Sequence, residues 1–176
     1  MHETSWFLWG LPLFLGSALI ETVLAYRWTP GYFRNGIPIF KSRIEGTMLV
    51  DGVESQLENA MSSSMSSPML FRRLSPQNIA FREQWRSGVF RYTPMMRGLI
   101  RVAPESHAIE VVGHLNWWLI PFVIVMTFSF WRSRRGEPWF VLIVAAIFAL
   151  GYIFQSSRYR KIASLLRTLN NPYATR

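Results

Sequence analysis

The sequence has no cysteine, only two lysines and little charge of either sign. Without cysteine there can be no disulfide, thiolate-held zinc, iron–sulfur cluster or thiol nucleophile. Charged residues make up 16% of the 176 positions, against about 25% in an ordinary soluble protein. A disordered chain combines low hydrophobicity with high charge, and half of this chain is hydrophobic. Histidine is scarce as well. His2, His107 and His114 stand apart, and no His-Glu-x-x-His or Glu-x-x-His spacing occurs, so a metal centre has little support. A phosphate loop, a Gly-rich dinucleotide fingerprint and a Gly-x-Ser-x-Gly elbow are also missing from the sequence. The expectation is a protein that is not an enzyme, with no cofactor predicted.

The apolar residues that are present cluster in three segments. Residues 6–26, WFLWGLPLFLGSALIETVLAY, would span roughly 30 Å as a helix, the thickness of a bilayer's hydrocarbon core. Residues 1–5 carry no Lys or Arg, and aromatics bracket the run, which favours a retained transmembrane helix over a cleaved signal. Residues 115–131 and 138–154 form a pair joined by the short polar link RSRRGE, with Pro138 suited to the first turn of the second leg. Tryptophan and tyrosine mark the ends of all three segments, as in interfacial belts. Gly10, Gly16, Ser17 and Ala18 in the first segment, and Ala145, Ala146, Ala149 and Gly151 in the third, offer small surfaces for close helix contact.

Between the first two segments lies a more polar stretch, 27–113. Pro30-Gly31 and Gly36 read as turns, and 37–45 as a strand. Asp51 fits an N-cap for a helix through Val53, Leu57 and Met61, ending in the Ser-rich run 62–68. Short strands then follow at 69–73, 78–83, 88–93, 97–103 and 108–112, separated by Ser-Pro, Ser-Gly, Thr-Pro and Pro-Glu-Ser breaks. Alternation such as Ile109-Glu110-Val111 predicts an antiparallel sheet with one apolar face and one Arg-rich face. After the third segment, Ile162, Leu165, Leu166 and Leu169 fall on one helical face. Arg158, Arg160, Lys161 and Arg167 supply charge around it. That tail suits either an anionic lipid surface or packing on protein.

The expected fold is therefore an α+β integral membrane protein. An N-terminal transmembrane helix (1–26) precedes a β-rich domain with one helix (27–113). A transmembrane hairpin (114–154) and a basic amphipathic tail (155–176) follow. In layout alone this resembles bacterial membrane proteins with pleckstrin-like domains, and no motif extends the resemblance. The Lys and Arg balance near the helix ends places 27–113 and the C-terminus in the cytoplasm and the N-terminus outside an inner membrane. Arg132, Arg134 and Arg135 in the link argue the other way, and would pair with lipid phosphates or a partner.

The net charge of +9 thus reads as orientation and docking, not nucleic-acid binding. Two single residues stand out. Glu21 is the one acid inside an apolar segment, a position that is either paired or functional. His114 sits at the expected membrane boundary, where a neutral imidazole could ligate a porphyrin metal or simply bond the sheet edge. The functional expectation is an accessory, structural subunit of a larger bacterial inner-membrane complex, respiratory or photosynthetic. Its partners would be lipids and other integral membrane subunits. The alternative is a stand-alone membrane sensor or anionic-lipid-binding protein.

Overall fold

A computed structural model describes residues 5–46, 51–62, 68–83, 95–103, 105, 107–132 and 138–170. Its elements in chain order are α1 (Ser5–Tyr26), α2 (Pro30–Arg34), β1 (Pro38–Glu45), α3 (Val53–Ser62), β2 (Met69–Ser75), β3 (Asn78–Glu83), β4 (Met96–Ala103), β5 (Ala108–Leu115), α4 (Leu119–Arg132) and α5 (Pro138–Asn170). The fold is α+β, with a five-stranded antiparallel sheet in the order β1-β5-β4-β3-β2. Strands β2 to β5 pair in chain order as an antiparallel meander, and β1 adds to its far edge beside β5. The strand expected at 88–93 and most of the Ser-rich run fall outside the described residues.

Alternation gives the sheet two unlike faces. One face buries Phe40, Ile44, Phe71, Ile79, Phe81, Ile100, Ile109 and Val111. Two helices cover it. From α3 come Val53, Leu57 and Met61, the stripe the sequence predicts. From the C-terminal half of α5 come Tyr159, Ile162, Ala163 and Leu166. Small sheet residues let the aromatics in. A Cβ on Gly113 would lie 2.8 Å from the Tyr159 ring, and one on Gly98 would run into Phe81. The Phe81 and Tyr159 rings meet edge to face, 4.8 Å between centroids.

The opposite face is divided. Near α1 it is capped by α2, whose Tyr32 and Phe33 bury against Ala80 and Leu99. At the other end Glu110 sits between Arg43 on β1 and Arg101 on β4, in register. Lys41 and Arg101 both bond its carboxylate, at 2.7 and 2.6 Å.

Residues 30–34 form a short helix where the sequence reads as turns. Pro30 occupies a first-turn position, where its missing N–H costs nothing. The reversal before it is a helix C-cap. Thr29 N bonds Leu24 O, Trp28 N bonds Ala25 O, and Trp28 holds φ +55°. A glycine usually takes that left-handed position. Trp28 is held there by stacking on Phe33, 5.5 Å between centroids.

The apolar segments differ in length from the expectation. β5 runs to Leu115, because Val111 to His114 pair with both β1 and β4 and Leu115 pairs with Met96 on β4. That takes Leu115 from the second apolar segment, residues 116–118 turn, and α4 starts at Leu119 with 14 residues, about 21 Å of helix. The third segment and residues 155–170 of the tail are not two elements. They form one 33-residue helix, α5, about 50 Å long. Its burial switches part-way. Leu142, Ile143, Ile147, Leu150, Ile153 and Phe154 are exposed, whereas Gln155, Tyr159, Ile162 and Leu166 are buried. Among the described residues, α5 is the one helix long and apolar enough to cross a membrane, and α1 adds a shorter apolar stretch, Pro12–Tyr26. Phe14 on α1 contacts Trp118 and Phe122 at 6.0 and 5.6 Å, and Phe122 contacts Phe148 on α5 at 5.6 Å.

Candidate functional site at the helix–sheet junction

The site is built where α1 meets the capped face of the sheet. Glu21 lies in the last turns of α1 and is 4% exposed. Its carboxylate accepts from the Tyr32 hydroxyl and, at 2.7 Å, from the backbone N–H of Trp118. Arg97 on β4 approaches from the sheet, with Nη1 3.7 Å from Glu21 Oε1. One acidic side chain thus ties together α1, α2, β4 and the turn before α4.

Among the described residues Arg97 is the largest fully buried side chain, 2% exposed. An unpaired cation there would be untenable, and each of its nitrogens has an acceptor. Nε donates to Tyr32 O at 2.7 Å, Nη1 to Leu115 O at 2.6 Å and Nη2 to Asn35 O at 2.6 Å. The guanidinium also lies 4.1 Å from the Tyr32 ring centroid and 5.2 Å from that of Trp117. Gly36 makes the space, since a Cβ there would lie 2.6 Å from Nη2. Burial lowers the Arg97 pKa, and the Tyr32 and Glu21 oxygens oppose that shift. Burial raises the Tyr32 pKa, with Glu21 adding to the effect, so its hydroxyl stays a donor.

His114 stands directly across from Arg97 on β5. It is 6% exposed. Burial, then the charges of Arg97 and Arg101, push its pKa down to about 4, against a bond to the Phe33 carbonyl that favours the proton. The ring is therefore neutral at physiological pH. Nδ1 is buried and meets no partner among the described residues. The sequence places His114 at a membrane boundary, open to a porphyrin metal or lipid. In the fold it is an interior residue beside α2.

A second buried pair fastens α5. Arg158 Nη1 lies 2.7 Å from Glu83 Oε1, both nearly out of water. Gln155 Oε1 accepts from the backbone N–H of Met95 and Met96, at 2.9 and 3.0 Å. Arg158 is thus taken out of the set of tail cations open to lipid. The leucine face of the tail is covered by the sheet. Arg160 and Arg167 remain exposed and Lys161 is half-buried. Arg132 ends α4. Arg134 and Arg135 lie outside the described residues.

Between α1, α2, the β2–β3–β4 part of the sheet and Trp118 is a cavity of about 510 Å³, within the usual range for a ligand site. Glu21, Arg82, Glu83 and Arg97 all contribute to its wall. Tyr32, Arg97, Glu83, Arg82 and Gln155 were not singled out by the sequence. The Met96-to-Ala103 alternation puts Arg97 on the same sheet face as Arg101, which reads as solvent-facing. The partner that buries it is 76 positions earlier, on a helix with no local link to the strand.

Comparison with protein-family models, with curated proteins and with solved structures finds no match to this chain.

Proposed function

We propose that this chain is a non-enzymatic accessory subunit of a larger bacterial inner-membrane complex, of the respiratory or photosynthetic kind. The observation that carries this reading is the unbroken course of α5. Its first half presents Leu142, Ile147, Leu150, Ile153 and Phe154 outward, and its second half fills the core of the sheet. An apolar surface of that extent in water marks a lipid or protein contact. A helix continuous from that surface into a folded core has no hinge. The position of the sheet is then fixed relative to whatever surrounds the apolar half.

The other two apolar helices support the same reading. α1 exposes Leu13, Leu15, Leu19, Ile20 and Val23, and α4 exposes Ile120, Val123 and Ile124. In this reading all three cross the membrane, with the sheet and the C-terminus on the cytoplasmic side. The short α4 would be met by local thinning and by the basic link reaching for headgroups. Arg97–Glu21 and Arg158–Glu83 would act as clamps that hold the spans to the sheet. Residues 27–113 and the exposed Arg160 and Arg167 are then available to neighbouring subunits.

Gentle detergent extraction, followed by identification of the co-purifying proteins and pigments, tests the reading. A stoichiometric large complex is expected. A monodisperse lone chain, recovered from native membranes under conditions that keep known complexes whole, would overturn it. That second result would favour a stand-alone lipid-binding protein.

A further inference from the structure

The cavity at the junction has two unlike ends. Phe14, Ala18, Glu21, Thr22 and Ala25 all line it from α1. These positions follow one helical face, so the cavity runs along the helix for about 16 Å. The end towards Phe14, Ala18 and Trp118 is apolar. The end towards the sheet carries four charged groups, Glu21, Arg82, Glu83 and Arg97.

Three of those charges are already answered. Glu21 and Arg97 face each other, and Arg97 has three carbonyl acceptors besides. Glu83 is paired with Arg158. Arg82 differs. No carboxylate lies within ion-pair distance of it among the described residues, and its buried Nε meets no acceptor. Its guanidinium is held over Trp28 at 5.0 Å and near Tyr26 at 5.9 Å. Two aromatic rings thus position the cation without neutralising it. A planar guanidinium with free donors matches a phosphate.

We infer that this cavity seats one anionic phospholipid, with its phosphate on Arg82 and an acyl chain lying along Phe14, Ala18 and Trp118. The polarity of the cavity follows that of the amphiphile, since the charged end lies at the sheet and the apolar end runs along α1 away from it. A free anion would use Arg82 alone and leave the apolar end unfilled. A zwitterionic lipid would bring a choline for which the site has no unpaired carboxylate. The inference rests on α1 lying in the membrane, as in the accessory-subunit reading. Its test needs no partner protein, so failure to find a host complex and failure to bind lipid are separate results.

The full chain is purified in detergent, stripped of lipid, checked for helical content by circular dichroism, and titrated with phosphatidylglycerol under native mass spectrometry. One phosphatidylglycerol is expected per chain. Arg82→Gln should weaken its retention by roughly tenfold or more, the effect of losing a charge-assisted hydrogen bond. Ala18→Trp fills the apolar end with the guanidinium left in place, and should weaken retention as well. Arg167→Gln removes an exposed cation elsewhere and should leave retention unchanged. Equal retention by Arg82→Gln and the parent overturns the inference. So does equally tight binding of phosphatidylcholine, or displacement of the lipid by millimolar inorganic phosphate, which would mark a site for a free anion.

Discussion

Arg97 Nη1 and the Glu21 carboxylate lie 3.7 Å apart, with both side chains almost wholly out of water. The contact joins the start of a sheet strand to the last turns of an apolar helix. Removing two charges from water is costly, and the cost is recovered only when every remaining polar atom finds a partner. Here Tyr32, the Trp118 N–H and three backbone carbonyls supply those partners. The pair is thus better understood as a geometric lock than as a source of net stability.

A direct consequence is an asymmetry between single and double variants. Glu21→Gln leaves Arg97 buried with no counter-charge and should destabilise the fold by on the order of 3 kcal/mol. Arg97→Met strands Glu21 in the same way. The double variant removes both charges, and its loss should be clearly smaller than the sum of the two singles. Thermal unfolding in detergent, followed by circular dichroism, gives the three values. Additive losses would mean that the two residues do not interact.

Much of the sheet was legible in the sequence because each strand alternates locally. Ile109-Glu110-Val111 announces one buried and one polar face, and the helical stripe of Val53, Leu57 and Met61 announces α3. The tail's leucine face was legible too, though not what it packs on, since periodicity reports a buried face and never its neighbour. Two features were hidden for a different reason. The change from apolar to basic composition at Gln155 looks like an element boundary, yet no Gly or Pro breaks the helix between Gly151 and Asn170. The site itself depends on pairs such as Glu21–Arg97 and Glu83–Arg158, which only the folded topology brings together.

His114 makes stability depend on pH. In the fold its pKa is about 4, below the ordinary value of 6.5, because burial and two nearby arginines oppose a positive charge. The unfolded chain takes up the proton first as pH falls. The stabilising contribution of neutral His114 is therefore complete above about pH 6.5 and is lost progressively down to about pH 4. Over that window the loss is about 3 kcal/mol. His114→Gln removes the titration, so its unfolding midpoint should fall less than that of the parent between pH 7 and pH 4. Parallel pH profiles for the two chains would show that His114 is not held neutral.

The continuity of α5 can be broken at one exposed position. Ser157 sits on the solvent side of the helix, between the apolar half and the half that fills the sheet core. Proline there removes the N–H that bonds the Ile153 carbonyl and sets its ring against that carbonyl, at a cost of about 3 kcal/mol. Ser157→Ala keeps the helix and should change stability by less than about 0.5 kcal/mol. If α5 is one rigid element, Ser157→Pro lowers the unfolding midpoint of the whole sheet domain. It also opens Arg158, Arg160 and Lys161 to trypsin, which in the parent are shielded by helical backbone and, for Arg158, by burial against Glu83. A Ser157→Pro chain that unfolds at the parent's midpoint, with the same tryptic pattern, would mean that the two halves of α5 behave as separate elements.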